Sequence, residues 1–353
     1  MITPGMLSYD AVLRGKQEIY FFREAIEKLT LEDRLDEIAC RATIDMAVPG
    51  DQFTGMPAIL PGHTMEVIGV PFGDTEIKQV FNAGPVWDVQ IANHQRRHWN
   101  ITVYDQAIYL AKSEDEYYFS EGSTATQRIK QIAADWNIPI YNLPETGQPL
   151  AKAMHRAKSL WAIIQQALRE TAEKSGKLYR LRMMPGTIVT KPKYKFYPGG
   201  LELVELGTNK PVWVFEFQSN LKEVTQHQTL DGAVTKVKVL GNASKDTRSP
   251  VLGVASAKTE LGTLQKVHTE HKATDTAAAM KVATNMLAGI QETVNVTGID
   301  INTIRAGDHV AVEGWPELLV ISVKHELGAP GSMSMQLATR EHIRRRYYAR
   351  RPF

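Results

Sequence analysis

The sequence predicts an α+β fold that is mainly β, with two strand-rich regions and a small α/β segment between them. Three observations carry this. Up to about residue 104, short apolar and polar alternations recur between turn residues. From about 105 to 205 helical periods appear among short strands, and beyond that the alternation returns and holds to about residue 340. At 353 residues the chain exceeds the usual domain of about 100 to 200, so two or three cores are expected.

In the first region the strand candidates are "EIYFF", "DEIACRATIDMAV", "TMEVIGV", "PVWDVQIAN" and "NITVYD", broken at Pro49, Pro61, Pro71 and Pro85. Several period-two runs at this spacing indicate a barrel or sandwich. The charged stretch "REAIEKLTLEDRLDE" reads as a short helix or a long loop. In the middle segment, Thr124 and Gln127 have capping-box spacing, and Ala125, Ile129, Ile132, Ala133 and Trp136 recur at helical intervals until Pro139. A second helix is expected over about 151 to 174, with Met154, Ala157, Leu160, Trp161, Ile164, Ala167, Leu168 and Thr171 on one face and Gly176 as its cap. "LYRLRMM" and "GTIVTK" then alternate as strands.

"VWVFEF" and "AVTKVKVLG" open the second region, followed by a loop region or irregular strand pair over 241 to 271. A helix is expected at about 275 to 290, with Asp275 as its cap, and then "HVAVEG", "LLVISVKHEL" and "SMSMQLAT" as closing strands. The expected domains are 1–104, completed by about 206–222; an α/β insertion over 105–205; a second β domain over 223–340; and a basic tail over 341–353.

Hydrophobic residues at 43% and charged residues at 23% exclude a largely disordered chain. The amino end lacks a secretory-signal pattern, and no stretch approaches the roughly 20 apolar residues of a membrane helix. A protein made and kept in the cytoplasm, or leaving it by another route, is therefore expected. Cys40 is the only cysteine, which excludes an internal disulfide and a cysteine-based zinc cage; it alternates with Ile38, Ala42, Ile44, Met46 and Val48 as a core thiol. The net charge of +2 hides an asymmetry: "HIRRRYYARRPF" holds Arg344, Arg345, Arg346, Arg350 and Arg351, and the remaining chain has 36 basic against 39 acidic residues.

Reacting groups are sparse. Glu114, Asp115 and Glu116 are adjacent, so their side chains alternate in any extended backbone and do not converge on one atom; a solvated turn is expected there. His94 and His98 have the spacing of a helical metal pair, but the run enters a strand, where that spacing separates them by roughly 13 Å. "HTEH" at 268 to 271 is the best metal candidate, yet a catalytic zinc needs three well-placed protein ligands, so no metal site is assigned. His325 is expected to pack or hydrogen-bond within its sheet. No phosphate loop, dinucleotide fingerprint or nucleophile elbow occurs, and no cofactor is implied. The arginine and aromatic tail suits phosphate contact with base stacking, docking on an acidic neighbouring subunit, or a solvated disordered end.

"ITVYDQAIYLAKSEDEYYF", the "STATQRIKQIAADWNIPI" helix and "AKSLWAIIQQALRETAEKSGKLYRLRMM" resemble, in that order, the baseplate hub proteins of contractile phage tails and related phage-tail-like particles. The matching junction residues are Asp105, Tyr109 and Leu110, where a barrel strand hands over to an insertion. "IRAGDHVAVEGW", "LLVISVKHELG" and "SMSMQLAT" look like the family's closing strands, with its turn at Gly307 and Asp308. The resemblance covers about residues 85 to 340 and leaves the arginine-rich end unplaced.

It implies two tail-tube-like barrels, with three copies forming a ring of six similar barrels. Such a structural virion protein would join a six-fold tail tube to a three-fold central spike in the baseplate. Its partners would be itself, the tube and spike proteins, and wedge or tape-measure proteins, with DNA only in transit and no membrane span. The arginines of the tail would bind a partner. Two other readings are a tail-associated peptidoglycan hydrolase and an all-β carbohydrate-binding or adhesin module. The second would show an exposed aromatic platform, whereas Trp87, Trp99, Trp136, Trp161, Trp213 and Trp315 fall mostly in periodic runs expected to pack the core.

Overall fold

The computed structural model describes every residue except 1–8, 16–17, 50–55, 94–95, 190–194, 243–247, 258–259, 270–275, 329 and 350–353. Two compact units are distinguished: 1–224 with 295–337, and 225–294 with 338–353.

The larger unit begins with seven strands: β1 (Asp10–Arg14), β2 (Ile19–Phe21), β3 (Ile26–Arg34), β4 (Arg41–Pro49), β5 (Thr64–Gly69), β6 (Lys78–Asn93) and β7 (Arg96–Tyr104). Alternation in β4 buries Ala42, Ile44, Met46 and Val48, and the register sets Ile44 beside Leu29 of β3 and Ile101 of β7. Full burial of each such side chain contributes about 1.5–3 kcal/mol. The charged stretch expected as helix or loop is, beyond a short 3-10 turn at Arg23–Ala25, the strand β3. Its inward face carries Leu29, Leu31 and Asp33, and an aspartate at an inward position hides the alternation from a hydrophobic pattern.

The insertion follows: α1 (Ile108–Lys112), β8 (Glu114–Phe119), α2 (Ala125–Asp135), β9 (Ile140–Asn142), β10 (Ala153–Ser159), α3 (Leu160–Ser175), β11 (Tyr179–Met184), β12 (Thr187–Val189), β13 (Lys195–Tyr197) and β14 (Gly200–Glu205). The capping box of α2 forms as expected, with the Gln127 amide donating to Thr124 Oγ1 and Thr124 N donating to Gln127 Oε1. The helix expected from 151 starts only at Leu160, because Ser159 caps it and residues 153–159 pair with β8 as a strand. Glu114, Asp115 and Glu116 thus lie on an exposed strand rather than in a turn. One core joins α1, α2, α3, β11 and β14 to Ile38 and Ala39.

The chain continues through β15 (Trp213–Phe215), β16 (Leu221–Thr229), β17 (Lys236–Leu240), β18 (Val251–Ser256), β19 (Gln265–Thr269), α4 (Thr276–Met286), β20 (Gln291–Ile299), β21 (His309–Val312), β22 (Leu318–Leu327), β23 (Ser332–Ala338) and α5 (Arg340–Ile343). In the larger unit β22 pairs antiparallel with β3, so carboxyl-terminal and amino-terminal strands share one sheet. The sheet has 13 strands along the path β16-β20-β23-β22-β3-β4-β7-β6-β5-β1-β2, with β15 and β21 branching from β22.

In the smaller unit β17 is flanked by β18 and β19, and α4 buries Ala279 and Ala283 against Val237 and Val239. The segment expected as loop or irregular pair therefore supplies two regular strands. Arg344–Tyr348 continue α5 as a π-helical turn, with Ile343 and Tyr348 buried, so the described part of the tail is ordered helix. Trp99 is buried and Trp136 and Trp161 pack, partly buried, against the insertion core, as expected of the set, whereas Trp87 is 41% exposed. No helix among the described residues is long and apolar enough to cross a membrane.

β6 serves two neighbours, pairing with β5 through its first half and β7 through its second, with register shifts where it bends. The bend brings Gly84 against β7: a Cβ there would lie 1.8 Å from the Tyr104 carbonyl oxygen. Gly84→Ala is expected to cost at least the roughly 1–3 kcal/mol of an overpacked core, read as a lower urea midpoint at unchanged slope.

Candidate functional site

Strand alternation turns Asp33 of β3 into the interior, where a bare carboxylate is costly. Two arginines answer it. Arg180 of β11 donates through Nη1 and Nη2 to the two carboxylate oxygens at 3.0 and 2.5 Å, and Arg305 donates through Nε at 2.7 Å. The Ala306 amide adds a fourth bond at 3.1 Å. Arg180 also donates to the carbonyls of Ala306 (2.5 Å) and Arg34 (3.0 Å). Asp33 and Arg180 are each 2% exposed. Burial alone would raise the Asp33 carboxyl; the two guanidiniums outweigh it and hold it well below the usual carboxylate range.

The junction residues expected from sequence gather around this pair. Gly307 has φ +89°, which suits glycine, and a Cβ there would meet Leu206 Cδ2 at 2.7 Å. Its amide donates to the Val320 carbonyl at 2.7 Å. Asp308 accepts from the Arg305 amide at 2.9 Å and from Arg182 at 3.4 Å, and Arg182 donates to Glu202 across the β11–β14 pair at 2.9 Å. Burial raises the Asp308 carboxyl against the pull of Arg182. Asp105 accepts from the Cys40 and Ala107 amides, both at 2.9 Å, which seats the first turn of α1. Its burial pushes the carboxyl up to about 7 despite those bonds and the charge of Arg305. The Cys40 thiol is buried and pushed up as well, the state of an inert core thiol. Leu110 is buried in the insertion core, while Tyr109 is 46% exposed and takes no part.

Other buried polar groups fasten loops in the same unit. His325 sets Nδ1 2.6 Å from Asp300 Oδ1 and donates through Nε2 to the Ile304 carbonyl at 3.0 Å, which ties the 300–304 loop to β22. Asn302 accepts from the Phe72 amide at 2.8 Å and donates to the Tyr9 hydroxyl at 2.8 Å; burial pushes that phenol up to about 12. Fully buried Glu66 accepts from Arg14 at 2.6 and 2.8 Å and from Gln79, whose carbonyl takes the Gly186 amide. Sequence reasoning missed Asp33, Arg180, Arg182, Arg305 and Glu66. The one available signal was arginine alternating with Leu181 and Met183 in "YRLRMM".

Of the metal candidates, His268 lies on β19, whereas Glu270 and His271 are outside the described residues, as are His94, Arg350 and Arg351. His98 pairs with Glu27 at 3.4 Å on an exposed surface. The acidic stretch borders a cavity of about 490 Å³ with α2, where Tyr117 donates to Asp135 at 3.0 Å. In the junction itself each carboxylate accepts from guanidinium or backbone N–H groups, and the arrangement fixes chain segments.

The YqbQ-like family model matches residues 75–339. The chain belongs to that family. It is 28% identical to YqbQ and 26% identical to the phage-like element PBSX protein XkdQ, both of Bacillus subtilis (strain 168), over 51% and 58% of its own length. Those matches span only 52% and 61% of the two relatives. Among solved structures, the 43 kDa tail protein of prophage MuSo2 from Shewanella oneidensis superposes with TM-score 0.68 at 14% identity, covering 94% of this chain and 99% of that one. The E. coli c3393 protein, a type VI secretion component described as structurally similar to phage T4 tail proteins gp27 and gp5, gives TM-score 0.52 at 9% identity over 94% and 77%. The fold is therefore the mainly β architecture with an α/β insertion that the residues indicated, and the tail-tube-like one that the resemblance implied.

Two outcomes test the junction. Asp33→Ala leaves two guanidiniums without their counter-charge and is expected to lower stability by about 3–5 kcal/mol in urea unfolding. Asp105 acts through pH. Its folded value is raised, so its contribution is full below the ordinary carboxylate range near 4 and is lost as pH rises to about 7. Asp105→Asn should flatten the stability curve across that window; an unchanged slope would assign it to other groups.

Proposed function

We propose that the protein is a structural component of a phage or phage-like tail, a homotrimeric baseplate hub that joins the tail tube to the central spike around the channel. The observation that carries this reading is the fold likeness to the MuSo2 tail protein over nearly the whole of both chains, supported by kinship with a phage-like element protein. The likeness of the c3393 protein to phage T4 tail proteins gp27 and gp5 supports a place in a tail.

The physics of the sheet agrees. Among the described residues β2 ends the 13-stranded path, with Ile19 38% exposed. An apolar edge of that kind invites pairing, and a closed ring covers it in every copy. The junction answers a second need, since a subunit that passes force between tube and spike must keep its insertion in fixed register with its sheet. Asp33 does this by binding β3, β11 and the 305–308 turn together. The tube, spike, and wedge or tape-measure proteins are the partners, DNA passes only in transit, and the location is the virion baseplate after assembly in the host cytoplasm. The roles are structural, with no catalysis.

Ring interfaces between obligate partners usually exceed about 2,000 Å², so a trimer is expected to be stable. Light scattering on purified protein, alone and after co-expression with neighbouring tail genes, should give the mass of three subunits in at least one condition. A monomer throughout, capturing neither tube nor spike protein, overturns the hub.

A further inference from the structure

We infer that the groove between β8 and α2 receives the arginine-rich carboxyl-terminal segment of a second copy of this chain, an inference that rests on the reading of the protein as a ring of copies. The groove, about 490 Å³, lies in the range of sites that hold a side chain or small ligand. Asp115 and Glu116 on β8 and Asp135 on α2 bring carboxylates to it, and Tyr118 and Trp136 supply aromatic surface. Tyr118 is 64% exposed, so its ring face is open to a visitor. Among the described residues no lysine or arginine forms an ion pair with Asp115 or Glu116, although the junction nearby saturates its own acids. β8 pairs on one side only, with β10, which leaves its other edge open beside the groove.

Carboxylates set among aromatic faces match one side chain in particular. A guanidinium pairs with carboxylates through a planar fork and stacks on aromatic rings, whereas an ammonium does neither as well. The chain carries such groups where opposite charge is scarce, Arg346 lying over the Tyr347 ring at 5.9 Å. Arg344 and Arg346 are exposed and form no ion pair among the described residues, and Arg345 reaches only Glu341, itself 74% exposed, at 3.3 Å. The same turn leaves Arg345 Nε and the Nε2 of buried His342 without hydrogen-bond partners, and burial, then the charges of Arg346 and Arg345, holds that histidine below its usual pKa. Arg350 and Arg351 extend the run in sequence. Every copy thus bears two different patches of opposite charge, the form a rotationally closed ring uses, in which a patch on one subunit meets another patch on the next.

The test uses a fluorescein-labelled peptide of residues 340–353 and, as receptor, the full chain with Arg344, Arg345, Arg346, Arg350 and Arg351 changed to alanine. Saturable binding by anisotropy, weakening as salt is raised, is expected. The same receptor carrying Asp115→Asn and Glu116→Gln, both exposed and harmless to folding, should bind about tenfold more weakly. Absent binding, or equal binding by both receptors, overturns the docking. A single chain carrying Asp115→Arg and Glu116→Arg together with Arg344→Glu, Arg345→Glu and Arg346→Glu should regain the association that either set alone abolishes; no restoration also counts against it. The native mass of the unaltered protein reports on the ring separately, so a trimer whose peptide does not bind sinks the docking and spares the hub.

Discussion

A single carboxylate on β3 sets the geometry that the larger unit depends on. Asp33 is bound at once by an arginine 147 residues later, by another 272 residues later and by the amide that follows the second. A buried ion pair of this kind adds little net stability over a well-packed apolar substitute, because desolvation offsets most of the attraction. Its contribution is selective. An apolar contact tolerates sliding, but a fork whose two terminal nitrogens meet both carboxylate oxygens and two carbonyls has one arrangement. The sheet, the insertion and the turn before β21 are therefore locked in a common register.

The same demand explains the neighbouring features. Gly307 has the backbone angle that brings the Ala306 amide and carbonyl to opposite sides of the pair, and there is no room for a side chain beside Leu206. Gly84 lets β6 bend from one partner to the next at the level where β7 delivers Asp105. Asp105 then starts α1, whose Leu110 is buried in the insertion core. Junction and bend are one construction: remove the carboxylate and the arginines repel, fill the glycine and the strand that carries the next carboxylate moves.

Much of the β framework was legible, and the reasons for the misses are physical. β4, β7 and β22 showed clean alternation because one face of each is apolar and buried. α2 announced itself through its capping box. β3 was hidden because its inward position 33 is an acid, and that acid is what the junction needs. β10 was hidden because Met154 and Ala157 stand at helical spacing from Leu160, while Ser159 ends the strand and caps the helix in one residue. Of the site, Asp105, Gly307 and Asp308 were reached as junction residues through their likeness to a known family. No pattern in one sequence pairs position 33 with positions 180 and 305, since the separation exceeds any local period.

Charge in this chain is used in two ways, and the contrast bears on assembly. Inside, Asp33, Glu66, Asp105 and Asp308 are each met by donors from the same subunit, so they hold shape and have nothing left for a visitor. Outside, acids at 115 and 116 and arginines at 344 and 346 form no ion pair among the described residues. Exposed like-charged runs cost the isolated subunit through self-repulsion, and that cost is relieved when an opposite surface arrives. Internal saturation with external deficit is what a subunit requires if its own shape must be settled before assembly while its neighbours supply the remaining partners.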